Sequence, residues 1–447
     1  MHRPCYNSTE LKEVVDVISG YAFPGYEMSS SGSPIIKIKN IIPPMVDTTD
    51  VDRISEEFIA SIPKLEKFRL KHKDILVAMT GATVGKIGRF PKANEIFYLN
   101  QRVARVDLRN PTQADIDYIY YVLSQTQYTD QISSLADGSA QANVSASQIG
   151  NITIPLPPLP EQRRIAHILG TLDDKIENNR KTAKTLEAMV QAIFKSWFVD
   201  FDPVRAKMNG ESRESICKRL KITPEILDLF PDRLVDSELG EIPEGWGNFH
   251  FSECVTIIGG GTPKTSVLEY WDGNIPWFSI VGAPTNDGIW VVDTEKKISE
   301  SGLNHSSTRK LPIGTTIITA RGTVDRVALV GVPMTMNQSC YGLRGKYDER
   351  GFFTHFSTRL IIQELRQHAH GSVFDTITRD TLGSIEVTFE STISSPMEML
   401  KQYNEEIYSI TMLRDTLLPK LISGEIRVPD AQAVVDTTTS ISKLFHD

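Results

Sequence analysis

Cysteine is scarce in this chain: there are 4 among 447 residues, with no CxxC pair and no zinc-like spacing to histidine. This excludes a disulfide framework and a zinc ribbon. No apolar run approaches the roughly 18 residues that cross a bilayer, and no charged-then-apolar leader opens the chain. We therefore expect a soluble, cytoplasmic protein with reduced thiols in or near its cores. The cysteines are Cys5, Cys217, Cys254 and Cys340.

Complete catalytic motifs are also missing. A DNA amino-methyltransferase holds its target amine with an Asn/Asp-Pro-Pro-aromatic loop, whereas the Pro-Pro pairs here lie in IPPM (42–45) and LPPL (156–159). The segment GATVGKI (81–87) is one residue short of a phosphate loop and has isoleucine where a magnesium-binding Ser or Thr belongs. The glycines at 259–261 lack the following helix pattern and acid of a dinucleotide site, so a turn is favoured. The sequence predicts no catalytic, cofactor or metal site.

The charge of the chain is unevenly distributed. A formal net charge of −8 by itself disfavours a nucleic-acid partner, because phosphates are neutralised by Lys and Arg. Residues 61–109, however, contain eleven Lys and Arg against four Asp and Glu, and residues 302–346 contain six against one. Most such runs are ordinary solvated faces, but the recurrence of this one in two halves of the chain favours nucleic-acid contact.

Two segments of the chain resemble each other, and such a repeat constrains the architecture before any element is assigned. The sequence GSAQANVSASQIGNITI (138–154) aligns with GSVFDTITRDTLGSIEV (371–387), 233 residues later. Three further matches occur in the same order: PIIKI (34–38) with PWFSI (276–280), DILVAMTGATVGKI (74–87) with TTIITARGTVDRV (315–327), and Asn-Gln at 100–101 with Asn-Gln at 337–338. The constant order predicts two copies of one domain.

Within each copy, short β-branched runs are separated by Gly and Pro, which is typical of an α+β domain. The predicted strands are 35–38, 75–78, 152–154 and 315–319, and the predicted helices are 115–127 and 352–365.

Between the copies the apolar spacing becomes helical. Ten residues follow a 4-3-4-3 spacing, the seam of a coiled coil, which implies a partner helix. They are Ile165, Leu169, Leu172, Ile176, Asn179, Ala183, Leu186, Val190, Ile193 and Trp197. Pro160 predicts the start of this helix and Pro203 its end. Similar spacing from Leu400 to Leu421 supplies the partner. Asn179 is either a tolerated polar residue or a device that fixes the register.

The fold class is therefore α+β, with two similar mixed α/β domains separated by a pair of long antiparallel coiled-coil helices in a pseudo-twofold internal repeat. The charged linker after Pro203 contains one predicted short helix, with Thr223 as its N-cap and Pro224 in its first turn.

The central sequence carries a family resemblance. The block LPPLPEQRRIAHILGTLDDKIENNRKTAKTLEAMVQAIFKSWFVDFDPVRAKM (156–208), followed by LFPDRLVDSELGEIPEGW (229–246), closely resembles the specificity subunits of type I restriction-modification systems. The whole chain resembles them in its order of recognition domain, helix, recognition domain, helix. The predicted C-terminal helix departs from the sequence that is usual in this family, with PME (396–398) where a Glu-Gln-Arg-like start is common.

This resemblance implies a division of the chain and a set of partners. Target-recognition domains are expected at 1–155 and 243–392, spacer helices at 156–202 and 393–427, a linker at 203–242 and a tail at 428–447. Such subunits are non-catalytic scaffolds that bind double-stranded DNA, two methyltransferase subunits and two restriction subunits. S-adenosylmethionine, ATP and magnesium are expected on those partners and not on this chain.

Two unequal copies predict a bipartite, asymmetric DNA target. Arg pairs with guanine and Asn or Gln with adenine, while Lys, Ser and Thr position the protein on phosphates. The candidate DNA contacts are Thr80, Thr83, Lys86, Asn100, Gln101, Arg102, Arg321, Thr323, Arg326, Asn337, Gln338 and Ser339. Second-rank phosphate contacts are Lys37, Lys39, Arg89 and Arg344. For each residue the alternative is a turn side chain bonded to its own backbone.

Two other functions stay open. A stand-alone two-domain DNA-binding regulator would bind its site tightly without a methyltransferase. An enzyme with an unrecognised site would methylate or cleave DNA by itself.

Overall fold

A computed structural model describes residues 6–136, 142–238, 240–280, 289–320, 326–346, 348, 350–368, 377, 386–388 and 420–421. The chain contains two compact units, Met1–Lys175 with Ile410–Asp447, and Ile176–Ser409. No helix in the described part of the chain is long and apolar enough to cross a membrane.

Unit 1 is built on a six-stranded and a four-stranded sheet. Its strands are β1 (Ser8–Glu10), β2 (Val15–Ser19), β3 (Met28–Ser29), β4 (Ser33–Ile36), β5 (Ile41–Ile42), β6 (Met45–Val46), β7 (Asp52–Ile54), β8 (Ile75–Ala78), β9 (Ile87–Arg89), β10 (Tyr98–Leu99), β11 (Val103–Leu108) and β12 (Thr153–Pro155). Its helices are α1 (Glu56–Ser61), α2 (Ile116–Leu123), α3 (Thr126–Ser134), α4 (Ala146–Gly150) and the first half of α5 (Leu159–Phe198). The sheet orders are β2-β11-β8-β9-β6-β5 and β10-β4-β7-β3, and β1 pairs with β12.

Strand β8 separates the two cores of unit 1. Ile75 and Val77 pack among residues of α2, α3 and α5, whereas Leu76 packs among residues of the four-stranded sheet. Successive side chains of a strand point to opposite faces, so a continuous apolar run buries both.

Unit 2 repeats this plan, with one strand fewer in each of its two main sheets. Its strands are β13 (Leu234–Ser237), β14 (Gly240–Pro243), β15 (Asn248–His250), β16 (Val255–Gly259), β17 (Ile275–Phe278), β18 (Trp290–Val291), β19 (Lys297–Ile298), β20 (Thr316–Thr319), β21 (Val327–Val330), β22 (Thr335–Met336), β23 (Cys340–Gly345) and β24 (Glu386–Thr388). Its helices are the second half of α5, then α6 (Asp202–Met208), α7 (Arg213–Leu220), α8 (Pro224–Leu227), α9 (Phe251–Cys254), α10 (Glu300–Asn304) and α11 (Phe352–His368). The sheet orders are β16-β23-β20-β21-β18, β19-β17-β22, β13-β14 and β15-β24.

The predicted repeat is confirmed by backbone pairing. In unit 1 the N–H of Val144 donates to Met79 O at 2.9 Å, and in unit 2 the N–H of Ile377, 233 positions later, donates to Ala320 O at 3.0 Å. Strand β12 pairs antiparallel with β1, and β24 pairs antiparallel with β15 in the same register. Equivalent residues of the two copies therefore occupy equivalent places in two sheets.

Most predicted elements are present, with differences at their ends. Strand β8 matches the prediction, β20 begins one residue later than predicted, and β12 is shifted by one residue at both ends. The strand predicted at 35–38 stops at Ile36, because Asn40 Oδ1 accepts the N–H of Lys37 at 3.0 Å and closes a turn. The helix predicted at 115–127 is wrong in extent: α2 ends at Leu123, and Gln125 is extended before α3 begins. Helix α11 contains the predicted 352–365.

Helix α5 is the predicted long helix, and its seam is covered. Eight of the ten seam residues are buried, and Leu186 and Ile193 are half-buried. In unit 1, Ile165 and Leu169 share a core with Leu421, one of the apolar positions predicted for the C-terminal helix. The rest of that predicted seam lies outside the described residues. The amide Nδ2 of the buried Asn179 has no hydrogen-bond partner in the described structure.

The end of α5 and the linker differ from the prediction. The helix ends at Phe198, and Pro203 instead lies in the first turn of α6, where a missing N–H costs nothing. Thr223 caps α8 as predicted, but α6 and α7 were missed. These three helices share one core with the second half of α5, including Trp197, Phe201 and Phe230.

Three cysteines fall within the described residues, and all are free thiols. Cys254 and Cys340 are buried and Cys217 is half-buried, as predicted. Cys5 lies outside the described residues.

Gly20 is required because the turn before β11 approaches it closely. A Cβ added at Gly20 would lie 2.3 Å from Asn100 O, whereas one added at Gly25 would meet nothing within 4 Å. Gly20→Ala should therefore lower the free energy of unfolding by about 1–3 kcal/mol through steric strain, and Gly25→Ala should leave it unchanged within about 0.5 kcal/mol. Denaturant unfolding monitored by circular dichroism measures both. Equal stability of the two variants would contradict this account of the contact.

Candidate nucleic-acid interface

Three strand ends in unit 1 meet at one end of the six-stranded sheet. Strand β11 pairs antiparallel with both β2 and β8, and its first residues lie opposite Ser19 and Ala78. The residues that follow β2, follow β8 and precede β11 therefore lie together. This end of the sheet, with the β8–β9 and β10–β11 turns, is called the reading end below.

The turn from β10 to β11 holds three predicted contacts in fixed positions. Asn100 is buried, and its side-chain Oδ1 accepts the N–H of Arg102 at 3.4 Å. The N–H of Gln101 donates to Tyr21 O at 2.8 Å, and the N–H of Met79 donates to Arg102 O at 3.0 Å. The side chains of Gln101 and Arg102 are exposed. Asn100 thus shapes the turn, and the next two side chains are presented to solvent.

The β8–β9 turn brings the other three predicted residues to the same end. The N–H of Ala78 donates to Lys86 O at 2.9 Å, which closes the turn, and the Lys86 side chain is exposed. Thr83 is half-buried, and its hydroxyl donates to Thr80 O at 3.3 Å. The hydroxyl of Thr80 is buried without a partner in the described structure. Of the three, Lys86 is the side chain available to DNA.

Unit 2 builds an equivalent reading end. Asn337 Oδ1 accepts the N–H of Ser339 at 3.0 Å, and the N–H of Ala320 donates to Ser339 O at 2.8 Å. Gln338 is exposed and hydrogen-bonds the Thr262 hydroxyl. Arg326 takes the place of Lys86, since its carbonyl accepts the N–H of Thr319 at 3.1 Å. The predicted contacts Arg321 and Thr323 lie outside the described residues.

The second-rank phosphate candidates are engaged by acceptors of the protein. Lys37 pairs with Asp52 at 2.6 Å and Lys39 with Asp50 at 3.3 Å. The hydrogen bond from Lys37 holds the pKa of the Asp52 carboxyl below its usual range.

The two arginines of this group are held in the same way. Arg89 pairs with Asp117 at 2.5 Å and lies over the Tyr120 ring, with its guanidinium carbon 4.1 Å from the ring centroid. Arg344 donates to Ile313 O at 2.6 Å. These contacts favour structural roles for all four second-rank residues.

Six of the eleven cations in residues 61–109 form no salt bridge within the part of the chain that the structure describes. All six are exposed: Lys64, Lys67, Lys71, Lys86, Lys92 and Arg102. The Lys64 ammonium lies 5.6 Å from the centroid of the Tyr21 ring, and Tyr21 is bridged to Asn100. Lys64 and Tyr21 therefore belong to the reading end. The basic run included Lys64, but no sequence signal singled out Tyr21 or, in unit 2, Thr262.

A cavity of about 500 Å³ opens beside Lys86 in unit 1. Tyr120, Tyr121, Asp130 and Asp173 line part of it, and the Tyr121 hydroxyl donates to Asp173 at 2.7 Å. Burial, with the nearby Asp173 carboxylate, raises the pKa of Tyr121, so the phenol stays protonated at neutral pH. The two carboxylates make this cavity unsuited to a phosphate group.

No group of three or more His, Cys, Asp or Glu side chains arranged to hold a metal is found among the described residues. The glycines at 259–261 allow a close backbone approach, since a Cβ at Gly260 would lie 1.9 Å from Asn337 O. The segment 81–87 forms a three-residue 3₁₀ turn followed by β9, and not the loop and α-helix of a phosphate site.

Comparisons with known proteins match this architecture. The family model for the type I restriction modification DNA specificity domain matches residues 6–188 and 243–389. The chain is 25% identical over 356 residues to the specificity subunit of the type I restriction enzyme HindI of Haemophilus influenzae, covering 69% of this chain and 77% of that protein.

A second relative and a solved structure cover nearly the whole chain. The putative specificity subunit of the type I restriction enzyme MjaX of Methanocaldococcus jannaschii is 23% identical over 449 residues, covering 94% of this chain and 93% of that protein. The crystal structure of a type I S subunit from M. genitalium aligns with a TM-score of 0.50 and 17% identity, covering 94% of this chain and 97% of that one, and so shares the fold.

The duplicated mixed α/β unit and the long helix α5 agree with the match of two specificity domains. The chain belongs to the DNA specificity subunits of type I restriction-modification systems.

Proposed function

We propose that this chain reads a bipartite, asymmetric DNA sequence without catalysing a reaction, and that it scaffolds two methyltransferase and two restriction subunits in the cytoplasm. The observation that carries this proposal is the duplicated reading end. Both copies place an Asn-Gln pair on the same turn, but the next residue is Arg102 in unit 1 and Ser339 in unit 2. Equivalent backbones with different donors suit two different half-sequences.

The chemistry of modification and cleavage is assigned to the partners. S-adenosylmethionine would be held by the methyltransferase subunits, and ATP and magnesium by the restriction subunits. This chain would supply the choice of site, through exposed Lys and Arg side chains for phosphates and amide or guanidinium groups for base edges.

Exchange of one unit tests the division of the target. Replacing residues 247–387 with those of a related specificity subunit should change one half of the methylated motif and leave the other half intact, because each unit has its own cores. The measurement is methylation-aware sequencing of a genome that expresses the chain with its cognate methyltransferase. A single undivided motif, or a change in both halves, would contradict the proposal. Tight specific binding by the chain alone would favour a stand-alone regulator.

Arg102 and Lys64 are expected to act differently on DNA. Arg102→Ala should cost about 1–3 kcal/mol of binding and relax one motif position, because a bidentate base contact is lost. Lys64→Ala should weaken binding to all DNA sequences alike. It should also reduce the slope of log affinity against log salt concentration by about 1, as expected when a phosphate contact is lost. Fluorescence anisotropy with cognate and substituted duplexes at several salt concentrations separates the two.

Arg109→Ala is the matched control for these variants, because Arg109 is similarly exposed but pairs with Asp16 at 2.5 Å. It should bind DNA as the unaltered chain does. If Arg102→Ala keeps the affinity, specificity and salt slope of this control, Arg102 is not part of the reading end's contact with DNA.

A further inference from the structure

The two reading ends carry the same Asn-Gln pair but hold its glutamine differently. Gln101 in unit 1 and Gln338 in unit 2 are both exposed, and each follows the asparagine whose amide shapes the turn. A carboxamide reads adenine with two hydrogen bonds, one accepted by its oxygen and one donated by its nitrogen. The surroundings of each glutamine therefore bear on how well it can distinguish bases.

The segment that lies beside each Asn-Gln pair is aligned by backbone contacts. In both units, the residue after the close-approach glycine donates its N–H to the carbonyl of the residue before the pair: Tyr21 to Leu99 O at 2.9 Å, and Gly261 to Met336 O at 3.0 Å. The residues one position further along the chain are therefore equivalent. They are Ala22 in unit 1 and Thr262 in unit 2, and both are exposed.

This equivalent position is where the two units differ. The Thr262 hydroxyl donates to Oε1 of Gln338, whereas the methyl side chain of Ala22 can donate no hydrogen bond. An amide oxygen has two lone pairs and an amide nitrogen has two N–H groups, so the bond from Thr262 leaves one lone pair and both N–H groups for a base. Adenine requires one lone pair and one N–H.

Packing in unit 2 makes Thr262 the side chain that meets the glutamine. A Cβ added at Gly261 would lie 2.3 Å from Ser307 Oγ and 2.4 Å from the backbone N of Thr308, so no side chain fits at that position. In unit 1 the equivalent position carries the ring of Tyr21. Unit 2 therefore presents a threonine hydroxyl beside its Asn-Gln pair where unit 1 presents an aromatic ring.

We propose that Thr262 is a positioning residue for base reading by unit 2, and that it holds the Gln338 amide in the orientation that pairs with adenine. A glutamine side chain has many rotamers, and restricting them before DNA binds lowers the entropy lost on binding. The bond from Thr262 strengthens when the bound duplex excludes water from the turn. Because Ala22 lacks a hydroxyl, unit 1 holds Gln101 without this support. This role rests on the proposed function and names a residue that sets its specificity.

Conservative variants of Thr262 test this role in the complex with the cognate methyltransferase. Methylation-aware sequencing gives the motif, and fluorescence anisotropy measures affinity for the cognate duplex and for duplexes substituted at each motif position. Gln338→Ala identifies the position that Gln338 reads. Thr262→Val keeps the branched shape but removes the hydroxyl, and it should lower discrimination at that position roughly three- to tenfold, the effect of about one hydrogen bond. Thr262→Ser keeps the hydroxyl and should retain the discrimination.

Two further variants separate positioning from folding. In the Gln338→Ala background, Thr262→Val should have no additional effect on discrimination, because the group that it positions is absent. Ala22→Ser changes the equivalent position of unit 1 and should leave the half of the motif read by unit 2 unaltered. The slope of log affinity against log salt concentration should be the same in all these variants, since no phosphate contact is removed.

The outcomes distinguish the possible failures. The role of Thr262 is overturned if Thr262→Val retains full discrimination, if Thr262→Val and Thr262→Ser lose it equally, or if Thr262→Val weakens binding to all duplexes alike. If Gln338→Ala relaxes no A·T position, Gln338 does not read adenine, and the role of Thr262 fails while the proposed function stands. If the unaltered complex methylates no bipartite motif, the proposed function itself fails.

Discussion

Close backbone approach at a glycine is the constraint on which each reading end depends. In unit 1 the turn before β11 passes so near Gly20 that only a hydrogen fits on its Cα, and in unit 2 Gly260 stands in the same relation to Asn337. This contact aligns the ends of three antiparallel strands. The amide of Asn100 or Asn337 then bonds the backbone two residues later. The exposed side chains of each turn are therefore presented from a fixed backbone.

Local charge decides how an acidic chain can bind DNA. Ion pairs tie Arg89 and Arg109 to carboxylates, while Lys64, Lys86 and Arg102 stay exposed without such partners in the described structure. Exposed charges act over a Debye length of about 8–10 Å at physiological salt, so a bound duplex is governed by the cations it meets more than by the net charge. Two carboxylates, Asp130 and Asp173, lie instead at the cavity beside Lys86.

The two copies share the backbone of their turns and differ in the side chains that these turns expose. The hydrogen bonds that shape each turn run through backbone atoms and one asparagine amide, so they place few demands on the other side chains. Lys86 can thus be replaced by Arg326, and Arg102 by Ser339, on the same backbone. A scaffold whose turns are shaped mainly by backbone hydrogen bonds can carry different side chains for different DNA sequences.

The sequence by itself determined the internal repeat, through the similarity of its segments. It also determined the strands around Ile75 and Ile317 and the long helix, because apolar periodicity and turn chemistry act over a few residues. Tertiary structure decided what depends on distant partners. Among the residues that the structure describes, it engaged Arg89 with a carboxylate 28 positions away and left Arg102 without one. It also left the Tyr26 side chain exposed to solvent, which the sequence did not predict. Burial and ion pairing depend on residues that are remote in sequence, so local sequence patterns do not predict them.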